Sequence, residues 1–259
     1  MKQIDLSSFT KESCFEHTSK GNQPKWLIEN RWYKADHMGY EALAEVLISR
    51  LLKYSNIQEY VRYTPVFIQY QGKERPGCES LNFRSKDEQM VPFERLHRTY
   101  EGTSLATTLS RISDIEQRIL YTVNFLEQVT GLRNFGPHLT LQLELDAFFL
   151  NEDRHTNNLA VLRNEKTKEF RFSPVFDNGL ALLSDWNDYP LTSNLYDCIS
   201  QVHAKPFCSD FGTQLKFFFT KTDVKHELTD LNALYSEEIC ARAENVIYEQ
   251  MRKYQLYFR

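Results

Sequence analysis

The sequence predicts an α+β fold of two lobes, a small strand-rich one followed by a larger helical one. Three observations predict it. Residues 1–80 carry short aromatic and β-branched runs separated by turn residues, with one helix among them. Residues 100–259 are dominated by longer stretches with apolar side chains at helical spacing. Within that second half, one polar loop opens into a short hairpin, and the loop and hairpin concentrate the residues with most chemistry.

Taken in order, Lys25–Ile28 and Arg31–Ala35 read as strands joined by a Glu29-Asn30 turn. Glu41 to Tyr54 reads as a helix, because Leu43, Val46, Leu47, Leu51 and Leu52 fall near helical spacing after Gly39. Arg62-Tyr63 and Val66–Tyr70 read as strands around Pro65, and Arg75–Ser80 as the crossing point between lobes, so that the lobes span 1–80 and 81–259. Ser113 to Val129 is an amphipathic helix closed by Gly131, and Leu139 to Leu150 a more apolar one. The second helix runs straight into the polar loop and so aims it. Val161-Leu162 and Phe170–Phe176 form the hairpin around Asn164–Lys168, and Glu237 to Tyr254 is the last helix.

Composition narrows the class. The chain has 259 residues, 41% of them hydrophobic and 14% aromatic, which suits a sizeable core and excludes disorder. A net charge of −4 argues against direct nucleic-acid binding and against an anionic membrane surface. No long apolar run and no signal-peptide pattern is present, so no membrane span is expected. The expected location is the cytoplasm, or outside it for an effector exported without a conventional leader. The five cysteines (Cys14, Cys78, Cys198, Cys208, Cys240) are scattered and lack Cys-x-x-Cys spacing, which points to reduced thiols without structural zinc.

The polar loop is Asn151-Glu152-Asp153-Arg154-His155-Thr156-Asn157-Asn158. Asp153 precedes Asn158 by five residues, and Asp177 follows Asn158 by nineteen, at the far end of the hairpin. A hairpin brings the residue before its first strand close to the residue after its second, so Asn158 and Asp177 should meet, with Asp153 alongside. Asp, Asn and Asp in this order suit phosphoryl transfer. One carboxylate handles the hydroxyl, while the Asn oxygen and the other carboxylate hold magnesium against nucleotide phosphates. In the front half, Lys34 ends a strand and Glu45 lies in the next helix; a strand Lys needs such a partner because its stem is flexible. Glu41, one turn earlier, is the alternative partner. His155 either steadies the loop or touches the transferred group. The segment Gln201–Phe211 lies where substrates usually approach, and its Ser and Thr neighbours are candidate autophosphorylation sites.

The order Ser19-Lys20-Gly21-Asn22-Gln23-Pro24-Lys25, then Trp32-Tyr33-Lys34, a helix Glu, Asp153-Arg154-His155-Thr156-Asn157-Asn158 and Phe176-Asp177-Asn178-Gly179 resembles the HipA-like kinases, in particular their compact, CtkA-like forms. The Asp-Arg-His-x-x-Asn wording is shared with phosphatidylinositol kinases; the Gly-x-Gln-x-Lys loop favours the HipA-like group. The resemblance covers residues 19–180. It implies a bilobal protein-kinase-like fold, ATP with Mg2+, and transfer to Ser or Thr hydroxyls of a protein substrate. By position, Asp153 is the base and Asn158 and Asp177 are the metal ligands. Lys34 contacts the phosphates with Glu45 as its partner, and Ser19, Gly21, Asn22 and Gln23 cover them. Cys78 and Ser80, within Gly77–Ser80, meet the adenine through backbone groups. The resemblance also brings in an antitoxin-like or regulatory partner, although this chain begins almost at the phosphate loop. Asn178-Gly179 stands where many kinases carry Phe-Gly, so a switch built on an inserted Phe does not carry over. Two other readings remain: a phosphoinositide or small-molecule kinase, and a nucleotide-binding pseudokinase module.

Overall fold

The computed structural model describes residues 2–9, 23–55, 57–210 and 221–253. Five strands, β1 (Gln3–Asp5), β2 (Lys25–Ile28), β3 (Arg31–Ala35), β4 (Tyr63–Tyr70) and β5 (Lys73–Leu81), form one sheet in the order β1-β4-β5-β3-β2. Of its four strand pairs, β1–β4 is parallel and the others are antiparallel. Two-residue turns close both hairpins: Glu29 and Asn30, then Gln71 and Gly72, all take positive φ, the backbone that lets a tight turn follow the strands' right-handed twist.

Alternation along β3 sorts its side chains onto the two faces of the sheet. Tyr33 and Ala35 join Trp26, Val66 and Ile68 on one face. Lys34 goes to the other face, where α1 (Glu41–Leu51) lies with a 3-10 turn at Leu52–Tyr54. Every residue of α1 except Arg50 is buried, so this helix sits inside the molecule rather than on its surface.

Two strand expectations are corrected. Tyr63 and Val66–Tyr70 belong to one strand that runs through Pro65, with Arg62 just before its start. The missing N–H of Pro65 causes no loss because β1 pairs only from Phe67 onward. The crossing point expected at Arg75–Ser80 is the interior of β5, the central strand. Pro76 lies just past the end of β3, where its carbonyl accepts from Asp36 N at 3.0 Å. Gly77 is required by space: a Cβ there would stand 2.5 Å from Ile68 Cδ1 and 2.6 Å from the Lys34 carbonyl oxygen.

After β5 the chain forms β6 (Glu88–Pro92), α2 (Phe93–Glu101), α3 (Leu105–Ser110), α4 (Ile115–Thr130) and α5 (Phe135–Phe149). The hairpin strands β7 (Ala160–Asn164) and β8 (Phe170–Phe172) follow, then α6 (Leu195–Gln201), α7 (Lys221–Leu228) and α8 (Glu237–Lys253). Asp114 caps α4 by accepting from Gln117 N, and Gly131 ends it with positive φ. α5 begins earlier than expected because Pro137 sits in its first turn, where no N–H is needed. The expected hairpin forms two strands of a three-stranded sheet in the order β6-β7-β8, with β6 paired to the other side of β7, and its second strand ends at Phe172 rather than Phe176. The largest apolar cluster joins α1 to α5, α7 and α8, so the sheet's helix is held by the helical lobe.

Candidate active site

Lys34 ends up between two carboxylates. Its Nζ donates to Glu45 Oε1 and, at 2.8 Å, to Asp177 Oδ1, with the Tyr63 hydroxyl at 3.5 Å. Burial alone would lower the Lys34 pKa, but Asp177 and Glu45 push it well above the ordinary value. Glu45 is fully buried, and its second oxygen accepts from Asn178 N at 2.9 Å. One glutamate therefore joins β3 to the segment carrying Asp177. Glu41 does something else. Its carboxylate accepts from the amides of His37, Met38 and Gly39, the last two at 2.8 and 3.0 Å, and so closes the turn into α1.

Asp177 has a φ of 60°, a left-handed backbone that Asp tolerates better than most residues. Lys25 adds a second ammonium 3.5 Å from its Oδ1. Burial would raise the Asp177 pKa, but Lys25 and Lys34 outweigh it and hold the carboxyl well below its usual range.

The polar loop is built on one arginine. α5 ends at Leu150 with positive φ, and Asn151 N returns to Asp146 O at 2.9 Å. Arg154, 1% exposed, donates Nε to Asp146 at 2.9 Å, Nη1 to the carbonyls of Asn158 and Phe176, and Nη2 to Asn178 Oδ1 at 2.8 Å. Those bonds tie the carbonyl of Asn158, before β7, to that of Phe176, just ahead of Asp177. From the other side, Thr156 Oγ1 donates to Glu94 Oε2 at 3.0 Å, which ties the loop to the start of α2.

Within the loop, Asn158 Nδ2 donates to Asp153 O at 2.7 Å and to Asp153 Oδ2 at 3.1 Å. This arrangement turns the Asn158 oxygen away from Asp153 and leaves it as an acceptor for a cation. His155 Nδ1 accepts from Asn157 N at 3.2 Å, so in the neutral ring the proton sits on Nε2. Burial lowers the His155 pKa and keeps that neutral form. Asp153 Oδ1 and His155 Nε2 lie 3.8 Å apart, both buried and both without a hydrogen-bond partner among the described residues. Burial first, then Asp177, pushes the Asp153 carboxyl up to about 7, against the opposing charge of Lys205. A carboxyl so placed suits proton transfer near neutrality.

Cys78 and Ser80 lie in β5 opposite Lys34 and Trp32 of β3, both buried. Burial pushes the Cys78 thiol well up, so it is inert. β3 pairs with residues 77–81 and β4 with residues 73–80. The backbone of Gly77–Ser80 is thus engaged on both sides. The expectation that it meets adenine is corrected, since chain free of both ladders begins beyond Leu81. Gln23 lies beside β2, with its Nε2 buried and unpaired among the described residues, while Ser19, Gly21 and Asn22 fall outside them.

Besides the part that Arg154 plays, three contributors escape a reading of the sequence. Lys25 reads there only as the end of the phosphate loop; the register that sets it opposite Lys34 shows its place at Asp177. Glu94 carries no signal in the sequence. Lys205 reads only as part of a substrate-side segment. Among the described residues no group of three or more His, Cys, Asp or Glu side chains is arranged to hold a metal alone. The donor set here, Asn158 and Asp177, suits a hard cation that completes its shell with phosphate oxygens and water.

No family model matches the chain, and no curated protein matches it. Among solved structures it is similar to the Helicobacter pylori proinflammatory kinase CtkA. The TM-score is 0.65 at 15% identity, over 97% of this chain and 94% of that one. Shewanella oneidensis MR-1 HipA, solved with HipB and operator DNA, aligns with a TM-score of 0.41 at 12% identity, over 94% of this chain and 59% of that one. The likeness to CtkA, taken over almost the whole length of both chains, shows that this protein has a two-lobe, kinase-like α+β fold.

Proposed function

We propose that the protein is a kinase that moves the γ-phosphoryl group of ATP to a Ser or Thr hydroxyl of a protein. The observation that carries this reading is the Lys34 ammonium bonded to both Glu45 and Asp177, residues far apart in sequence. Lys34 and Lys25 bind nucleotide phosphates as fixed positive charges, and Glu45 holds Lys34 at the right reach. Asp153 Oδ1 accepts the hydrogen bond of the acceptor hydroxyl and then its proton. His155 Nε2–H donates toward the same place and steadies the phosphoryl oxygens. Asn158 and Asp177 would hold Mg2+, which when bound neutralises charge on the phosphates. The lobes, 1–80 and 81–259, enclose the nucleotide. Ser19, Gly21, Asn22 and Gln23 cover the phosphates, and the side chains of Cys78 and Ser80 wall the inner end. Little covalent chemistry is required, so positioning carries most of the rate.

The test is transfer of labelled phosphate from Mg-ATP to general protein acceptors, to phosphoinositides and to the protein itself. Asp153→Asn and Asp177→Ala should each lower transfer at least about a hundredfold, as loss of a general base or charge-stabilising group does, with the thermal melt kept. Full activity in either variant refutes the assignment. Transfer to lipid alone overturns the protein-substrate reading. Stabilisation by Mg-ATP without any transfer marks a binding module instead.

A further inference from the structure

We infer that the segment Glu227–Tyr235 is a clasp that fixes both ends of α1 and so positions the Lys34–Glu45 pair before nucleotide arrives. The inference rests on the nucleotide-site reading above and concerns how that site is held.

α1 has eleven residues, about 16 Å of helix. At its C-terminal end Arg50 grips Asp230 with two parallel bonds, Nη1 to Oδ1 at 2.5 Å and Nη2 to Oδ2 at 2.8 Å. Arg50 Nη1 also donates to the Glu227 carbonyl at 2.7 Å. One turn on, Lys53 Nζ and the Tyr54 hydroxyl both donate to Glu227 Oε1, the latter at 3.1 Å. The opposite end is held from the same segment. The Tyr235 hydroxyl donates to Asp36 Oδ2 at 2.6 Å, and Asp36 Oδ1 accepts from Ala42 N at 2.7 Å. Between these contacts Leu228 and Leu231 are buried in the cluster that contains α1.

The placement matters because Asp36 is two residues past Lys34, and Ala42 is three before Glu45. A displacement of α1 large enough to withdraw Glu45 must break contacts at one end or the other. A paired arginine fork is directional, so it fixes rotation of the helix as well as distance. Arg50, Tyr235 and Asp230 are therefore positioning residues for the phosphate lysine. None of them touches substrate.

The test measures Mg-ATP and adenosine affinity by titration calorimetry on the full chain, beside the thermal melt. Variants are Tyr235→Phe, Asp230→Arg, and the swap Arg50→Asp with Asp230→Arg. Asp230→Arg should weaken Mg-ATP binding about tenfold, as expected for losing a well-formed ion pair and facing like charges. Adenosine affinity should stay within about twofold, because adenosine carries no phosphate for Lys34 to hold. The swap should recover most of the Mg-ATP loss, and Tyr235→Phe should repeat it more weakly. Unchanged Mg-ATP affinity in Asp230→Arg and Tyr235→Phe overturns the clasp. So does a parallel fall in ATP and adenosine affinity with the melt, which marks general loosening. Lys34→Met separates the two claims. If it weakens Mg-ATP binding and the clasp variants do not, only the clasp is wrong. If Lys34→Met itself has no effect, the nucleotide-site reading falls and takes the clasp with it.

Discussion

Arg154 shows what one residue can decide. It sits at 1% exposure and joins Asp146, the carbonyls of Asn158 and Phe176, and Asn178. Only a guanidinium has enough donors in one plane to do so. Arg154→Met would leave Asp146 buried without a counter-charge, held only by Asn151 Nδ2 at 3.0 Å, at a cost of about 3–5 kcal/mol, read as a fall in urea midpoint. The double variant Arg154→Met/Asp146→Leu should regain much of that stability while phosphoryl transfer stays lost, since Asn158 and Asp177 would no longer be tied together. Recovery of transfer along with stability would show that the loop keeps its shape without the arginine. The sequence exposed Asp153, Asn158 and Asp177 because base and metal chemistry demand those residue types at workable separations. It hid Arg154, whose role is to receive no ligand at all, and it hid Lys25, whose place depends on strand register. The choice between Glu41 and Glu45 turns on geometry: Glu41 is engaged by the turn amides before α1, and Glu45 is left to meet Lys34.

Elements were legible where the pattern was local. The β2–β3 hairpin, α1 and α4 follow from turn residues, helical spacing and caps, and each stands where its residues indicate. β5 was not legible, because Pro76-Gly77 reads as a break unless neighbouring strands are known. β6 was not legible either: Glu88–Pro92 has no strand pattern of its own and exists through pairing with β7. At Gly77 the close approach of β3 and β5 can be tested. The Lys34 carbonyl oxygen lies 2.6 Å from where a Cβ on Gly77 would stand, and as backbone it cannot turn aside. Gly77→Ala should therefore push β3 outward and cost about 1–3 kcal/mol, as overpacking does. Because the strand that moves carries Lys34, Mg-ATP affinity should fall with the melting temperature. A melt unchanged from the parent protein would mean that β3 and β5 do not approach so closely.

At the scale of the whole molecule, the helical lobe surrounds the helix that serves the sheet, and stability is shared across both. The second apolar cluster, under α2, α4 and β7, gives that stability a pH dependence. His138 on α5 stacks on Phe172 of β8 at 4.3 Å between ring centres and meets Phe135 edge-on at 6.0 Å. Burial lowers its pKa from 6.5 to about 4. Above pH 6.5 the ring is neutral in the folded and unfolded chain alike, and the full stability is present. As pH falls below 6.5 the unfolded chain takes up a proton that the folded protein refuses, so stability drops until the folded ring protonates near 4. Between pH 7 and pH 5 this one site should remove about 2 kcal/mol. His155 is lowered by burial too, and Asp153, raised to about 7, acts in the opposite direction. The difference between the parent protein and His138→Phe isolates the contribution of His138, because Phe keeps the stack and cannot titrate. Urea unfolding at pH 7 and pH 5 should show a smaller acid loss in His138→Phe by about that amount. Equal losses in the two proteins would place His138 in water rather than against Phe172.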